Sequence, residues 1–159
     1  VTIDDLQPED WAAVARIFED GLDVGTFEEN VPSWEDWDAA HLSVPRLAAR
    51  SEDVVIGWAA LAPVSHRACY RGVVENSIYV AYAARGRGVG RALLDELCRR
   101  ADTVGVWTIQ AHTFADNAAS IALHEACGFR LVGLRERLAQ KRGAWRDTAL
   151  LERRSNVDG

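Results

Sequence analysis

The segment Arg85-Gly86-Arg87-Gly88-Val89-Gly90 constrains the fold more than any other part of the chain. It stands between a β-branched run, Ser77-Ile78-Tyr79-Val80, and a segment whose apolar residues Leu93, Leu94, Leu97, Cys98 and Ala101 share one face of a helix. A strand that enters a glycine-rich turn and leaves as an amphipathic helix makes one compact unit. Its geometry aims the first backbone N–H groups of the helix, and the positive end of the helix dipole, at one point in space. That point is an anion site, and the flanking Arg85, Arg87 and Arg91 suit a phosphate.

Spacing removes two phosphate motifs. A P-loop needs G-x-x-x-x-G-K-[ST], and the chain has no Gly-Lys pair. The dinucleotide fingerprint G-x-G-x-x-G would need glycine where Arg91 or Leu93 stands. The run does fit [QR]-x-x-G-x-[GA], read as Arg85, Gly88 and Gly90. In that form it resembles the pyrophosphate loop of the GCN5-related N-acetyltransferases, which hold coenzyme A there. Taken by itself the loop also reads as a tight strand-to-helix turn with solvated arginines.

A chain of 159 residues suits a single domain over 1–159, with a short tail from about 155, and can bury a core without disulfide or metal staples. The net charge of −6 argues against general binding of nucleic acid or an anionic membrane. Yet Arg85, Arg87, Arg91, Arg99 and Arg100 cluster around the glycine loop, which fits a small polyanionic ligand. Cys69, Cys98 and Cys127 are odd in number and lack metal-ligand spacing, so no metal is expected. Cys98 and Cys127 sit in apolar helical stretches and read as reduced core residues, and a nucleophilic cysteine is the alternative, although no histidine stands beside one in an obvious motif. The chain opens on a strand-like Val1-Thr2-Ile3 without a signal-peptide pattern, and no apolar run approaches the ~20 residues of a membrane helix. A cytoplasmic location without membrane contact is expected.

The periodicity predicts a strand near Val1–Leu6 and a helix from Pro8 carrying Trp11, Val14, Ile17 and Phe18. A polar loop from Gly25 to Pro32 follows, then a helix from Ser33 through Leu42, with Ser33 and Asp36 spaced as a capping box. Strands at Arg46–Arg50 and Val54–Leu61 form a hairpin, and a third runs Val73–Tyr82. After the glycine loop and its helix to about Thr103 come a strand at Trp107–Thr113 and a helix from Asn117 to Cys127, which Gly128 ends. Two closing strands, Phe129–Arg137 and Ala144–Arg154, turn at Lys141–Gly143. By pattern alone the order β-α-α-β-β-β-α-β-α-β-β is a mixed α/β domain.

Two constellations carry chemistry. Glu75 stands in the β-branched run Val73–Ile78, and strand alternation puts Glu75, Ser77 and Tyr79 on one face and Val74, Asn76, Ile78 and Val80 on the other. A carboxylate in a central strand needs a cleft or a partner, and desolvation there is expected to raise its pKa toward that of a general base. An edge-strand, solvated glutamate is the other reading. Along the later helix, Asn117, Ser120, Ile121 and His124 fall on one arc, so an amide, a hydroxyl and an imidazole share a stripe.

The helix Asn117-x-x-Ser120-x-x-Leu123-His124-x-x-x-Gly128-Phe129 resembles the corresponding helix of the GCN5-related N-acetyltransferases. With Glu75-x-Ser77-x-Tyr79-Val80 and Gly143-x-Trp145-x-Asp147, the chain is similar to their phosphinothricin and methionine sulfoximine branch from about Leu6 to Arg154. The resemblance implies that family's mixed, mostly antiparallel sheet with helices on both faces, and acetyl-CoA as co-substrate. It implies direct attack by an α-amine on the thioester, with no acyl-enzyme. The loop from Arg85 through Gly86, Arg87, Gly88, Val89 and Gly90 to Arg91 would hold the pyrophosphate, and Asn117 and Ser120 would touch the pantetheine. A backbone N–H among Ile78, Tyr79 and Val80 would polarise the thioester carbonyl. Glu75 would take the amine proton, and His124 would either pair with Glu75 or protonate the departing thiolate.

On the same resemblance Phe27, Glu28, Arg67 and Tyr70 would form the amino-acid pocket. Arg67 as a solvated loop arginine is the alternative. Glu28 stands where phosphinothricin-resistance enzymes typically carry a basic residue, which weakens the case for phosphinothricin itself and sets methionine sulfoximine, methionine sulfone or another small amino acid at least level with it. The branch commonly forms homodimers, with Trp145 and Asp147 near the partner's pocket, unless Trp145 fills the core beneath the last hairpin. A protein or peptide N-acetyltransferase and a non-catalytic acyl-CoA sensor are the competing functions.

Overall fold

In the computed structural model, residues 1–22 and 26–156 are described, so Gly25 at the start of the expected polar loop and residues 157–159 of the expected tail lie outside them. Strand β1 (Thr2–Asp5) leads through a 3-10 turn at Pro8–Asp10 into α1 (Trp11–Gly21), and α2 (Trp34–Ala40) follows. Then come β2 (Arg46–Ser51), β3 (Val54–Pro63), β4 (Val73–Val80), α3 (Val89–Ala101), β5 (Thr108–Phe114), α4 (Ala118–Ala126), β6 (Arg130–Lys141) and β7 (Ala144–Arg154). The element order is the one expected. The strands form one seven-stranded sheet in the order β1-β2-β3-β4-β5-β7-β6, antiparallel throughout except for β4 beside β5.

Alternation along the strands divides the core into two layers. In β3, Ala59 and Leu61 join Leu93, Leu94 and Leu97 of α3 and Phe129 after α4 on one face. Trp58 and Ala60 join Val14, Ile17 and Phe18 of α1 and Trp37 of α2 on the other. Trp37 is therefore a core residue at 1% exposure, with Trp34 packed against it.

Local chemistry moved some boundaries. Ser33 Oγ accepts from the N–H of Asp36 at 3.1 Å and caps α2, but the reciprocal bond of a capping box is not made among the described residues. Helix α2 stops at Ala40 because His41 is extended (φ −117°, ψ 152°). Strand β4 ends at Val80 rather than Tyr82, whose N–H goes to Asp20 Oδ2 at 3.2 Å as a 3-10 turn begins. No helix among the described residues is long and apolar enough to cross a membrane.

Gly72, just before β4, lies against the indole of Trp107. A β-carbon there would lie 2.2 Å from Trp107 Cε3. Gly72→Ala should lower stability by about 1–3 kcal/mol through this overlap, read as a reduced urea midpoint at unchanged slope.

Candidate active site

Strands β4 and β5 pair only from Val73–Thr108 through Glu75–Gln110. Both continue, β4 to Val80 and β5 to Phe114, and a cavity of about 450 Å³ opens where they part. Alternation gives it two differently furnished sides.

The side toward α3 and α4 holds Ile78, Val80, Gly90, Asn117, Ser120 and His124. Ala81 N–H bonds Ile56 O in β3 at 2.8 Å, so by alternation Tyr79 also directs its main-chain groups to β3, while the N–H groups of Ile78 and Val80 face the open edge toward β5. Of the three expected main-chain donors, Ile78 and Val80 are thus placed for a ligand in the cleft. Tyr79 is not, because its amide belongs to the β3 ladder. Its ring lies on the other side of the sheet, stacked on Phe18 and Trp58, and its hydroxyl is bonded to Thr26 Oγ1. Burial pushes the Tyr79 phenol up to about 12.

Helix α3 begins without a side-chain cap. Its N-cap is Gly88 in the left-handed region (φ +79°), preceded by Gly86 (φ +78°), a pair of conformations that β-carbons would strain. Among the described residues nothing caps the first amides of the helix, which leaves them available to an anion. Arg85 and Gly90 line the cavity, Gly86, Arg87, Gly88 and Arg91 are exposed, and Val89 turns its side chain into the core at 2% exposure. Val89 can serve a ligand only through its main chain. A β-carbon at Gly90 would stand 3.4 Å from Leu123 Cδ2, an ordinary contact, so the protein itself has room for alanine there.

Asn117 caps α4, its Oδ1 accepting from Ser120 N–H at 3.1 Å. His124, at 5% exposure, lies on the α4 side and not beside Glu75. Its Nδ1 is 2.7 Å from Ser120 O, which can only accept, so Nδ1 carries the hydrogen. Its Nε2 is 3.1 Å from Asn76 Nδ2. The expected pairing of His124 with Glu75 is therefore replaced by a pairing with Asn76, because Asn76 and Glu75 are strand neighbours and point to opposite faces. Burial holds the His124 pKa below its ordinary value, against the Ser120 carbonyl, which favours the charged form.

The opposite side carries Phe27, Glu28, Glu75 and His112. Phe27 meets Phe114 edge-on, ring centroids 4.7 Å apart, and His112 at 6.4 Å. The loop bearing Phe27 is pinned from the last hairpin: Lys141, 8% exposed, donates Nζ to Thr26 O at 2.6 Å and Leu22 O at 2.7 Å, and Arg142 N–H donates to Glu29 Oε1 at 2.8 Å. Glu75 accepts from Gln110 Nε2 at 2.8 Å and lies 3.0 Å from His112 Nδ1. Its pKa lies below the ordinary value, contrary to expectation. Burial is the largest single influence and pushes it up, but the opposing influences, led by the hydrogen bonds from His112 and Gln110, outweigh it.

Arg67 and Tyr70 do not line the cavity. They are exposed around a 3-10 turn at Ala68–Tyr70 that bonds to itself, Tyr70 N–H to Arg67 O at 2.9 Å and Arg67 N–H to Ser65 Oγ at 3.2 Å. The turn sits in the β3–β4 connection beyond the Pro63–Val74 pair, outside the place where the strands part. Sequence reasoning missed His112, Gln110 and Lys141. The signal for the first two was a pair of hydrogen-bonding side chains at strand spacing, alternating with Ile109 and Ala111, in the strand 108–114. Lys141 in a turn offered none.

Two of the thiols are poor nucleophiles. Burial raises Cys127 to about 12 and Cys98 to about 11.

The family model described as "Acetyltransferase (GNAT) family" matches residues 11–129. The chain is 34% identical to the phosphinothricin N-acetyltransferase of Alcaligenes faecalis over 98% of its own length and 83% of that protein. It is 33% identical to the L-methionine sulfoximine/L-methionine sulfone acetyltransferase of Pseudomonas aeruginosa, over 77% of this chain and 72% of the other. Among solved structures, a GNAT superfamily phosphinothricin acetyltransferase from Sinorhizobium meliloti in complex with AcCoA superposes with a TM-score of 0.87 at 34% identity, covering 96% of this chain and 87% of that one.

Proposed function

This chain belongs to the acetyltransferase (GNAT) family, and on that premise we propose that it transfers acetyl from acetyl-CoA to the α-amine of a small free amino acid. The observation that carries the proposal is the division of the cleft. Open helix amides and strand-edge N–H groups lie on one side, and a partly exposed carboxylate in an aromatic pocket lies on the other. The first side suits the pyrophosphate and thioester of acetyl-CoA. The second suits a cationic or neutral amine.

The reaction assigned to the cleft is direct. The neutral amine attacks the thioester carbon, the C–N bond forms, and the C–S bond breaks with its electron pair passing to sulfur. Glu75 takes the amine proton. A carboxylate held low is a weak base toward an ammonium at rest, but the attacking nitrogen becomes acidic as its bond to carbon forms, and the transfer then runs downhill. His124 keeps Asn76 oriented beside the cleft. Because its hydrogen is on Nδ1 and already given to Ser120 O, thiolate protonation falls to solvent in this reading.

Glu28 bears on which amino acid is used. A second acidic group on the acceptor, such as a phosphinate, would face its carboxylate, so the methionine sulfoximine and methionine sulfone type is favoured over phosphinothricin. Measuring CoA thiol release with free amino acids, phosphinothricin, methionine sulfone and a peptide should give the highest kcat/KM with methionine sulfone. Turnover of the peptide alone would reverse the assignment, and tight acetyl-CoA binding without any turnover would favour a sensor.

The donor side has its own test. Gly90→Ala should raise the Kd for acetyl-CoA about tenfold or more, ~1.4 kcal/mol, by blocking close approach of the main chain. The melting temperature should hold, since the added methyl makes only ordinary contacts. Equal affinity in both proteins would place the donor elsewhere.

We propose also that the chain forms a homodimer through its last two strands. Leu134 at 62% and Trp145 at 58% exposure, with Leu131, Val132 and Leu138, make β6 and the start of β7 an apolar sheet edge, and the exposure of Trp145 argues against its filling the core. Three free cysteines support a reducing, cytoplasmic setting.

A further inference from the structure

Glu75 and Gln110 occupy the last paired rung before β4 and β5 separate. His112 stands two residues further along β5 and so projects on the same face as Gln110. Both reach the same carboxylate oxygen: Gln110 Nε2 donates to Oε1 at 2.8 Å, and His112 Nδ1 lies 3.0 Å from that atom. No other hydrogen bond reaches Glu75 among the described residues, which leaves Oε2 without a partner there, and the side chain lines the cavity with 38% exposure. The His112 ring is oriented in turn. Its Nε2 is enclosed with no partner among the described residues, so a hydrogen there would point at nothing, and the ring hydrogen belongs on Nδ1, where Glu75 receives it.

We propose that Gln110 and His112 are positioning residues that clamp Oε1 of Glu75 and thereby present Oε2 as the one atom that accepts the acceptor amine's proton. The inference rests on the proposed role of Glu75 as base. In the step itself nitrogen bonds to the thioester carbon, the C–S electron pair leaves on sulfur, and the N–H proton ends on Oε2. His112 takes no proton.

The other groups that face this carboxylate do not replace the clamp. Glu28 lies on the loop before α2, Tyr79 along β4, His124 on α4 and Arg85 beyond the cleft, and the β3 neighbour is Ala62. Lys141 and Arg146 lie over Phe114, one strand repeat past His112. Without the clamp, burial is left to act on Glu75 largely unopposed, and its titration should move up.

The test is the titration of the Glu75 side-chain carboxyl by carbon NMR in glutamate-labelled protein, with the resonance assigned by its loss in Glu75→Gln. The wild-type midpoint should fall below the ordinary glutamate value of about 4.3, and that of the Gln110→Leu/His112→Leu double variant should rise by roughly one unit or more. Retained acetyl-CoA binding reports that the variants are folded. In parallel, His112→Leu should lose about tenfold in kcat at unchanged KM for acetyl-CoA. His112→Asn, whose amide can donate from nearly the same place, should recover most of it. An unmoved midpoint in the double variant overturns the clamp. So does a His112→Asn enzyme as slow as His112→Leu, because the imidazole would then be moving the proton itself. A midpoint that shifts as expected in a protein that acetylates no amino acid leaves the clamp standing and removes the functional reading instead.

Discussion

Glu75→Gln is expected to slow acetyl transfer by about 10²-fold or more while the Kd for acetyl-CoA stays within about twofold. The asymmetry follows from the layout of the cleft. Glu75 lies on the side with Phe27, Glu28 and His112, whereas the open helix amides and strand-edge N–H groups lie on the side with α3 and α4. Glutamine keeps the shape of the side chain and can still meet Gln110 and His112 after an amide rotation, so packing is preserved. What it cannot do is take a proton. The loss should therefore fall on kcat, with the KM for both substrates little changed, since an interaction made only as the C–N bond forms does not contribute to ground-state binding. An equal loss in acetyl-CoA affinity would mean that Glu75 shapes the donor side and is not the base.

The largest expected effect on stability is that of Trp58→Ala, about 3–5 kcal/mol. Trp58 is fully buried, stacked on Tyr79 with centroids 4.7 Å apart at 7°, stacked on Phe18 at 6.1 Å, and edge-on to Trp37 at 5.5 Å. Truncation would leave a cavity among the rings of Tyr79 on β4, Phe18 on α1 and Trp37 on α2, which their separate elements hold in place. One term reduces the loss: the indole N–H of Trp58 is buried without a partner among the described residues, and alanine removes that donor. Trp58→Phe should consequently cost much less than Trp58→Ala. The stack also bears on function, because Tyr79 carries the hydroxyl bonded to Thr26, next to Phe27. Urea denaturation should show a lower midpoint for Trp58→Ala, and the surviving folded enzyme should have a raised KM for the amine acceptor but not for acetyl-CoA.

Much of this arrangement is legible in residue spacing, and the illegible part has a physical cause. The Arg85–Gly90 turn, the α4 stripe and the alternation around Glu75 are local features, and the helix, the cap and the two strand faces they imply are all present. The partner of each side chain across the fold is a different matter. Alternation already separated Asn76 from Glu75, but only the placement of α4 over the Asn76 face decides that His124 meets Asn76. The lowered pKa of Glu75 depends on β5 coming alongside in parallel register, which puts Gln110 and His112 against a carboxylate that desolvation alone would have raised. Lys141 illustrates the same limit, since a turn lysine becomes a buried strut only because the last hairpin folds back onto Leu22 and Thr26.

In the proposed reaction acetyl passes directly between the two sides of the cleft, with no acetyl group resting on the protein. Burial already holds the Cys127 and Cys98 thiols at about 12 and 11, too high to act as thiolates at neutral pH. The most direct measurement is a single turnover in which the enzyme, bound to carbon-13-labelled acetyl-CoA, is mixed with methionine sulfone while the labelled carbonyl is followed by NMR and the protein mass is recorded. The expected result is stable acetyl-CoA and an unmodified protein before mixing, then conversion of the thioester signal to that of an α-N-acetyl amide at a rate that Glu75→Gln lowers about 10²-fold. A protein heavier by one acetyl group before the amino acid is added, or a thioester signal that no free amino acid discharges, would contradict it.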